Sequence, residues 1–65
     1  MRVGFEAVLK ETVVVVNGIK AQTLLKGTRG ILKEVCRDVV TLLIDGVSYP
    51  DIPIQSVEQA NHMNL

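Results

Sequence analysis

Apolar and polar residues alternate along much of this chain with the two-residue period of a β-strand. The cleanest case is residues 39–44, where Val40, Leu42 and Ile44 share one face that we expect to be buried. Leu43 lies on the opposite face of the same strand, where it is a candidate interface residue. No segment shows helical periodicity beyond a single turn. The pattern therefore predicts an all-β protein.

The dipeptide Asn17-Gly18 is the strongest turn signal, because a type I′ turn needs positive φ at both central residues. It predicts a hairpin between residues 12–16 and 19–24. A wide loop of the kind found in SH3 barrels is the alternative. The first arm is β-branched and apolar on both faces, so we expect it to be central in a sheet or covered by another subunit.

Two further dipeptides predict turns later in the chain. Arg37-Asp38 joins two β-rich runs and is most simply the turn of a hairpin. Asp45-Gly46 predicts a second turn, after which residues 47–49 return as a short edge strand. These signals place several antiparallel strands in direct succession.

The spacing of apolar residues before the first of these turns is irregular. Leu32 and Val35 are the expected core positions, although strict alternation would put them on opposite faces. A bulge at Lys33-Glu34 resolves the conflict and curls a small sheet. Cys36, which follows, is predicted to be a small buried hydrophobic residue.

The two ends of the chain give weaker signals. Val3 and Phe5, together with Val8 and Leu9, predict a first strand. Pro50 and Pro53 are expected to end regular pairing after the edge strand, because proline cannot donate to a β-ladder. A single 3₁₀ turn is predicted at residues 53–56, and residues 61–65 are expected to fray as a polar tail.

Together these elements predict one domain over residues 1–60. We expect a small SH3-like barrel of five or six strongly bent antiparallel strands, followed by the tail.

Composition adds an expectation of self-association. A chain of 65 residues buries only about 60% of the surface that its unfolded form exposes, so such domains usually need added stabilisation. A single cysteine excludes an internal disulfide, and a single histidine argues against a zinc site. A hydrophobic content of 48% is more than a small barrel hides, which favours a homo-oligomer. The candidate interface residues are Val14, Val16, Leu43 and Tyr49.

Charge is balanced overall but unevenly distributed along the sequence, with seven basic and seven acidic residues. Residues 20–37 are rich in lysine and arginine, whereas residues 38–65 contain neither. This distribution is compatible with weak polyanion binding or with stacking of copies. The candidate residues for contact with nucleic acid are Lys26, Arg29, Lys33 and Arg37.

About half of the chain resembles small barrels of the SH3-like and Sm-like type. The segments that resemble the C-terminal barrel of the ribosome maturation factor RimP are GILKEV, DVVTL, DG, IP and VEQA, which begin at Gly30, Asp38, Asp45, Ile52 and Val57. The start GTRGIL at Gly27 is similar to KOW-type barrels of ribosomal proteins and transcription elongation factors. The Sm signature is not present, so Sm-type RNA binding is not implied. The KOW resemblance implies RNA contact at Lys26, Thr28 and Arg29.

No catalytic signature accompanies these features, and we expect a protein that is not an enzyme and binds no cofactor. Nucleophilic catalysis needs a base beside a cysteine or serine, and His62 lies in the expected tail. The longest apolar run, residues 13–16, is too short to span a bilayer, and the first residues lack the apolar core of a signal peptide. We therefore expect a cytoplasmic binding or assembly module. It would contact RNA or a ribonucleoprotein, or instead be a homo-oligomeric subunit that docks a protein partner.

Overall fold

The computed structural model describes residues 2–60, and within them the chain forms antiparallel β-strands joined by short turns. The strands are β1 (Glu6–Leu9), β2 (Val13–Asn17), β3 (Lys20–Leu24), β4 (Arg29–Cys36), β5 (Val39–Ile44), β6 (Val47–Pro53) and β7 (Val57–Gln59). A 3₁₀ turn at Ile54–Ser56 links the last two strands, as predicted. The expected tail at residues 61–65 lies outside the described residues.

The strands divide into two antiparallel sheets. One has five strands in the order β6-β5-β4-β1-β7, and the other is the hairpin β2-β3. The all-β prediction is confirmed. Within residues 2–60 no strand pairing joins the two sheets, so the predicted barrel is not closed, and its strands number seven instead of five or six.

The hydrophobic core lies between the two sheets. Val40 and Leu42 are buried and Ile44 packs against them, which confirms the predicted inner face of β5. The buried apolar residues are Ala7, Leu9, Val13, Val15, Leu24, Leu32, Val40, Leu42, Ile52 and Val57. The hairpin contributes its base to this core, and the core in turn fixes the orientation of the hairpin.

The predicted hairpin at Asn17-Gly18 is confirmed, but its turn is shifted by one residue. Asn17 pairs with Lys20, so Gly18 and Ile19 are the central residues. Gly18 has a φ of 67°, while Ile19 is not in the left-handed region. Positive φ at the first central position alone is the pattern of a type II′ turn, not type I′, and the two-residue turn excludes the wide loop.

The two later hairpins form where the sequence places them. Asp45 and Gly46 have φ values of 51° and 81°, the pattern of a type I′ turn. At the other hairpin Cys36 pairs with Val39, which leaves Arg37 and Asp38 as the turn. These turns connect β4, β5 and β6 in direct succession.

The predicted bulge in β4 is confirmed by a shift in its pairing with β5 between Leu32 and Glu34. Leu32 is fully buried, as expected. The prediction that Val35 is a core residue was wrong, because its side chain is 38% exposed near the end of the strand. The prediction for Cys36 was also wrong: it is exposed beside the turn.

The N-terminal strand begins later than the sequence indicated. Val3 and Phe5 are exposed, and strand β1 starts at Glu6 after a turn in which Gly4 has a φ of 93°. β1 is held between β4 and β7. The pairing with β7 was not predicted, because residues 57–59 are too short to show a period.

A part-buried hydrogen bond connects the 3₁₀ turn to the segment that follows β1. The Ser56 hydroxyl, which is 2% exposed, donates to Glu11 Oε2 over 2.5 Å. The backbone N–H of Lys10 donates to the Ser56 carbonyl oxygen over 2.8 Å. These bonds attach the 3₁₀ turn to the segment between β1 and β2, which positions the base of the hairpin.

Candidate binding surfaces

The basic residues predicted to bind nucleic acid follow strand β4 along its length. Gly30 and Leu32 are buried, so Arg29 and Lys33 project from the opposite, outward face of the five-stranded sheet. Arg37 lies at the turn beyond the strand, where its φ is 55°. Eight residues of extended chain place Arg37 up to about 26 Å from Arg29. The structure therefore arranges these cations as a row and not as one cluster.

Two of these cations already have partners within the protein. Arg29 Nη1 lies 3.3 Å from Glu6 Oε1 on the neighbouring strand β1, with both side chains partly exposed. Lys33 Nζ donates to the hydroxyl of Ser48 on β6 over 3.2 Å. Exposed contacts of this kind are weak, so a phosphate group can compete for either cation.

The loop between β3 and β4 is closed by its own hydrogen bonds. The Thr28 hydroxyl donates to the Leu25 carbonyl oxygen over 2.6 Å. The backbone N–H of Lys26 donates to Thr12 Oγ1 over 3.0 Å. Gly27, whose φ is 91°, donates its N–H to the Leu9 carbonyl oxygen over 2.9 Å. These bonds fix the loop against β1, and they engage the hydroxyl hydrogen of Thr28 internally.

A shallow groove of about 360 Å³ lies beside this loop. Its lining combines the cations Lys10 and Lys26 with Glu58 from strand β7 and with the backbone of Gly27. The sequence analysis did not single out Lys10, because its proximity to Lys26 arises only from the pairing of distant strands. One carboxylate in the lining lowers the positive potential of the groove.

The separation of basic and acidic residues along the sequence is not kept in the folded protein. Glu58 pairs with Val8, and Val8 pairs in turn with Arg29, so the acidic strand β7 lies one strand away from the basic strand β4. Glu6 lies in the strand between them and binds Arg29 directly. The outward face of the five-stranded sheet is therefore mixed in charge.

The outer face of the β2–β3 hairpin, which we call the valine face, is an exposed apolar surface without charged residues. Val14 and Val16 are 64% and 69% exposed, while Val13 and Val15 on the other face are buried. Their cross-strand neighbours on the valine face are the exposed residues Thr23 and Ala21. The prediction that β2 is central in a sheet was therefore wrong, whereas cover by another subunit stays a prediction.

Ile19 at the tip of the hairpin is fully exposed, with a relative accessibility of 102%. The sequence analysis did not include it among the interface residues. No signal in the sequence marked it, because the predicted turn at Asn17-Gly18 placed Ile19 on the second arm, and the shift of the turn is visible only in the pairing of Asn17 with Lys20. Ile19 extends the valine face to the end of the hairpin.

The other two predicted interface residues lie on the five-stranded sheet, away from the valine face. Leu43 is half-buried on its outward face, between Ile31 and Ser48 of the neighbouring strands. Tyr49 is half-buried, and it packs against the core. The structure therefore separates Leu43 and Tyr49 from Val14 and Val16.

The exposed sheet edges differ in how well they are protected against further pairing. Edge strand β6 contains Pro50 and Pro53 and a register shift opposite β5, with Asp51 at a φ of 63°. Proline, bulges and left-handed residues all hinder the addition of another strand. Contrary to expectation, Pro50 lies within the strand, because an edge position needs no outward N–H, whereas Pro53 is the last residue of the strand.

Strand β3 has none of these protections along its free edge. It is five residues long, contains no proline, and pairs without a register shift to β2. Among the described residues no strand pairs with its other side. It is an open edge of the kind that natural proteins usually block.

Features of catalytic or metal sites are not prominent. Within residues 2–60, no three His, Cys, Asp or Glu side chains are grouped closely enough to hold a metal ion. No helix in this part of the chain is long and apolar enough to cross a membrane. Comparisons with protein-family models, with curated proteins and with solved structures found no match.

Proposed function

We propose that the protein is a non-enzymatic assembly module that associates with further copies of itself by stacking the valine faces of two hairpins. The observation that carries this proposal is the exposure of Val14 and Val16 on a strand whose other face is already buried. Burial of apolar surface is the main favourable term in protein association. The valine face therefore supplies an uncharged apolar driving force, whereas the surface around β4 also carries charged side chains.

The composition of the valine face supports a second copy as the occupant. Its members Val14, Val16, Ala21 and Thr23 carry no charge, so two identical faces meet without like-charge repulsion. A two-stranded hairpin is only marginally stable when it stands alone in water. Packing against a second hairpin covers the face that the core leaves open.

The SH3-like classification and the resemblance to RimP and KOW-type barrels are part of this proposal. A small antiparallel sheet bent by the bulge at Lys33, and a 3₁₀ turn leading into the last strand, support it. A cytoplasmic location is also proposed, because the exposed thiol of Cys36 suits a reducing compartment.

Replacing both exposed valines by threonine tests the stacking. The double variant Val14→Thr, Val16→Thr keeps β-branched side chains of similar shape but exchanges a methyl group for a hydroxyl at each position. We expect the dissociation constant of the stacked contact to rise about tenfold or more, because roughly 0.8 kcal/mol is lost per buried methyl group. Sedimentation velocity over a concentration series measures this change.

The matched control is Val3→Thr, Val47→Thr. Both control residues are exposed, at 60% and 47%, and both lie outside the hairpin. This control should associate as the unmodified protein does. Equal association of both double variants would show that the valine face is not the contact.

RNA contact is the second candidate function, and the row formed by Arg29 and Lys33 on the outward face of β4 favours it. Both cations are held only by exposed contacts, and they lead from the loop that carries Lys26. This row lies on the five-stranded sheet, so RNA contact and stacking of the valine faces are compatible.

Charge reversal at Arg29 and Lys33 tests RNA contact. If these cations bind phosphates, Arg29→Glu, Lys33→Glu should weaken binding to single-stranded RNA and reduce the slope of log K against log salt by about one for each contact. Fluorescence anisotropy with a labelled oligonucleotide gives both quantities. Arg2→Glu, Lys20→Glu is the control, because both cations are exposed, lie outside this row and give the same change in net charge. A similar loss in that variant would assign the effect to net charge alone.

A further inference from the structure

A second contact between copies is available at the free edge of β3, distinct from the valine face. We propose that β3 pairs antiparallel with β3 of another copy around a two-fold axis at Gln22, which joins two hairpins into one four-stranded sheet. This inference deepens the proposed function and rests on it. The observations that carry it are the open edge, the hydrogen-bond phase of the hairpin and the placement of its charge.

The hydrogen-bond phase shows which groups of β3 are free. In a two-residue hairpin the residues flanking the turn form a hydrogen-bonded pair, here Asn17 and Lys20. Because the pattern alternates, Gln22 and Leu24 also direct their backbone groups toward β2. Ala21 and Thr23 direct their N–H and C=O groups to the other side. The free edge therefore offers two donors and two acceptors.

The register of the proposed pair follows from this phase. Pairing Ala21 of each copy with Thr23 of the other uses all four free groups on both strands and keeps the five residues of β3 fully overlapped. Gln22 then meets Gln22 of the second copy on the axis as a non-hydrogen-bonded pair. A shift of the axis to Ala21 or Thr23 would require pairing beyond the end of the strand.

The side chains of β3 are compatible with this register. Lys20 carries the single charge on β3. In the proposed register it lies opposite Leu24 of the other copy and not opposite Lys20 of that copy. The neutral amides of Gln22 can hydrogen-bond to each other across the axis. No like charges are therefore opposed, in contrast to the arrangement that destabilises a cross-strand pair.

Edge pairing and stacking of the valine face combine into a closed assembly. The four-stranded sheet has the order β2-β3-β3-β2, so Val14 and Val16 of both copies lie on the same face, on its two outer strands, with Ala21 and Thr23 of the paired β3 strands between them. Stacking two such sheets face to face buries all of these valines and adds a second kind of two-fold contact. Two different two-fold contacts close as a tetramer with D2 symmetry.

A symmetric cross-link tests the position of the axis. In a Cys36→Ser background, Gln22→Cys places one cysteine of each copy at the two-fold axis. The Cα atoms of these two cysteines lie about 4.5 Å apart in the proposed register, within the range that a disulfide accepts. Thr23→Cys in the same background is the matched control, since its two copies lie about 8 Å apart in the proposed register. Both positions are exposed, so neither change removes core packing.

We expect oxidised glutathione to convert most of the Gln22→Cys variant to a covalent dimer on a non-reducing gel, with little dimer from Thr23→Cys. A mixture of Ala21→Cys and Thr23→Cys chains should cross-link only as a heterodimer. Equal cross-linking at positions 22 and 23, or none at position 22 in a chain that is oligomeric by light scattering, would overturn the inference and leave the proposed function standing. A Cys36→Ser chain that is monomeric by light scattering would overturn both.

Discussion

The variant Leu42→Ala is expected to be largely unfolded at room temperature. Leu42 is fully buried on β5, between β4 and β6 of the five-stranded sheet. Truncating a buried leucine to alanine costs about 2–5 kcal/mol, because transfer energy is lost and a cavity remains. A core of this size rarely supplies more than about 3–5 kcal/mol, so little or no stability is left. Far-UV circular dichroism and urea denaturation measure the loss.

Leu25→Ala is the matched control for this prediction. It makes the same chemical change at a leucine that is 65% exposed, and it leaves intact the backbone carbonyl that accepts from Thr28. We expect its free energy of unfolding to change by less than about 0.5 kcal/mol. All variants must be compared at one protein concentration, because association adds to apparent stability. Similar losses at Leu42 and Leu25 would contradict the core described above.

The variant Gly30→Ala is expected to lower the free energy of unfolding by about 1–3 kcal/mol, as overpacking does. A Cβ at this position would lie 2.7 Å from Ile44 Cγ1 and 2.9 Å from the Leu43 carbonyl oxygen. Gly30 is not in the left-handed region, so the reason for glycine here is close approach and not φ. Thermal unfolding should show a decrease in Tm of roughly 4–8 °C for each kcal/mol lost.

A second substitution, at Ile44, tests how much each of the two close contacts of the added Cβ contributes to the loss of stability. Ile44→Ala removes the Cγ1 atom but leaves the Leu43 carbonyl in place. The double variant Gly30→Ala, Ile44→Ala should therefore be more stable than the sum of the two single changes predicts, without recovering fully. Strict additivity of the two losses would show that Ile44 does not limit the space at Gly30.

Local signals in the sequence predicted the parts of the fold that depend on neighbouring residues. The turn at Asp45-Gly46 follows from the φ values that only a few residues adopt easily. The bulge at Lys33 follows from a break in alternation, and the buried side of β5 follows from the alternation itself. Each of these features is encoded within a few consecutive residues.

The features that the sequence analysis missed depend on distant pairing. Strand β7 exists because Val57 and its neighbours pair with β1, about fifty residues earlier in the chain. The same pairing brings Glu58 near Arg29, which removes the charge asymmetry expected from the order of residues. The exposure of Cys36 likewise depends on how far the sheet extends over the core, which the apolar character of the strand does not reveal.

The sequence indicated some features of the candidate surfaces and not others, because the exposure of a side chain also depends on pairing between distant strands. Val14 and Val16 were selected from a run that is apolar on both faces, and the structure places them on one exposed face. Leu43 and Tyr49 were selected from strand phase alone. The alternation of residues along a strand does not reveal whether neighbouring strands partly cover an outward side chain, as at Leu43. It also does not reveal whether a residue of an edge strand packs against the core, as Tyr49 does. The free edge of β3 depends on the order of strands in the sheet, which the sequence pattern does not specify.

The most direct test of self-association is light scattering coupled to size-exclusion chromatography, at low and at high salt, with the absorbance ratio recorded on protein purified without nuclease. A defined oligomer free of nucleic acid that persists at high salt is predicted, because apolar burial is not screened by salt as phosphate contacts are. A monomer at every concentration would contradict the assembly proposal. If that monomer carried nucleic acid that high salt removes, the row of cations along β4 would be the functional surface instead.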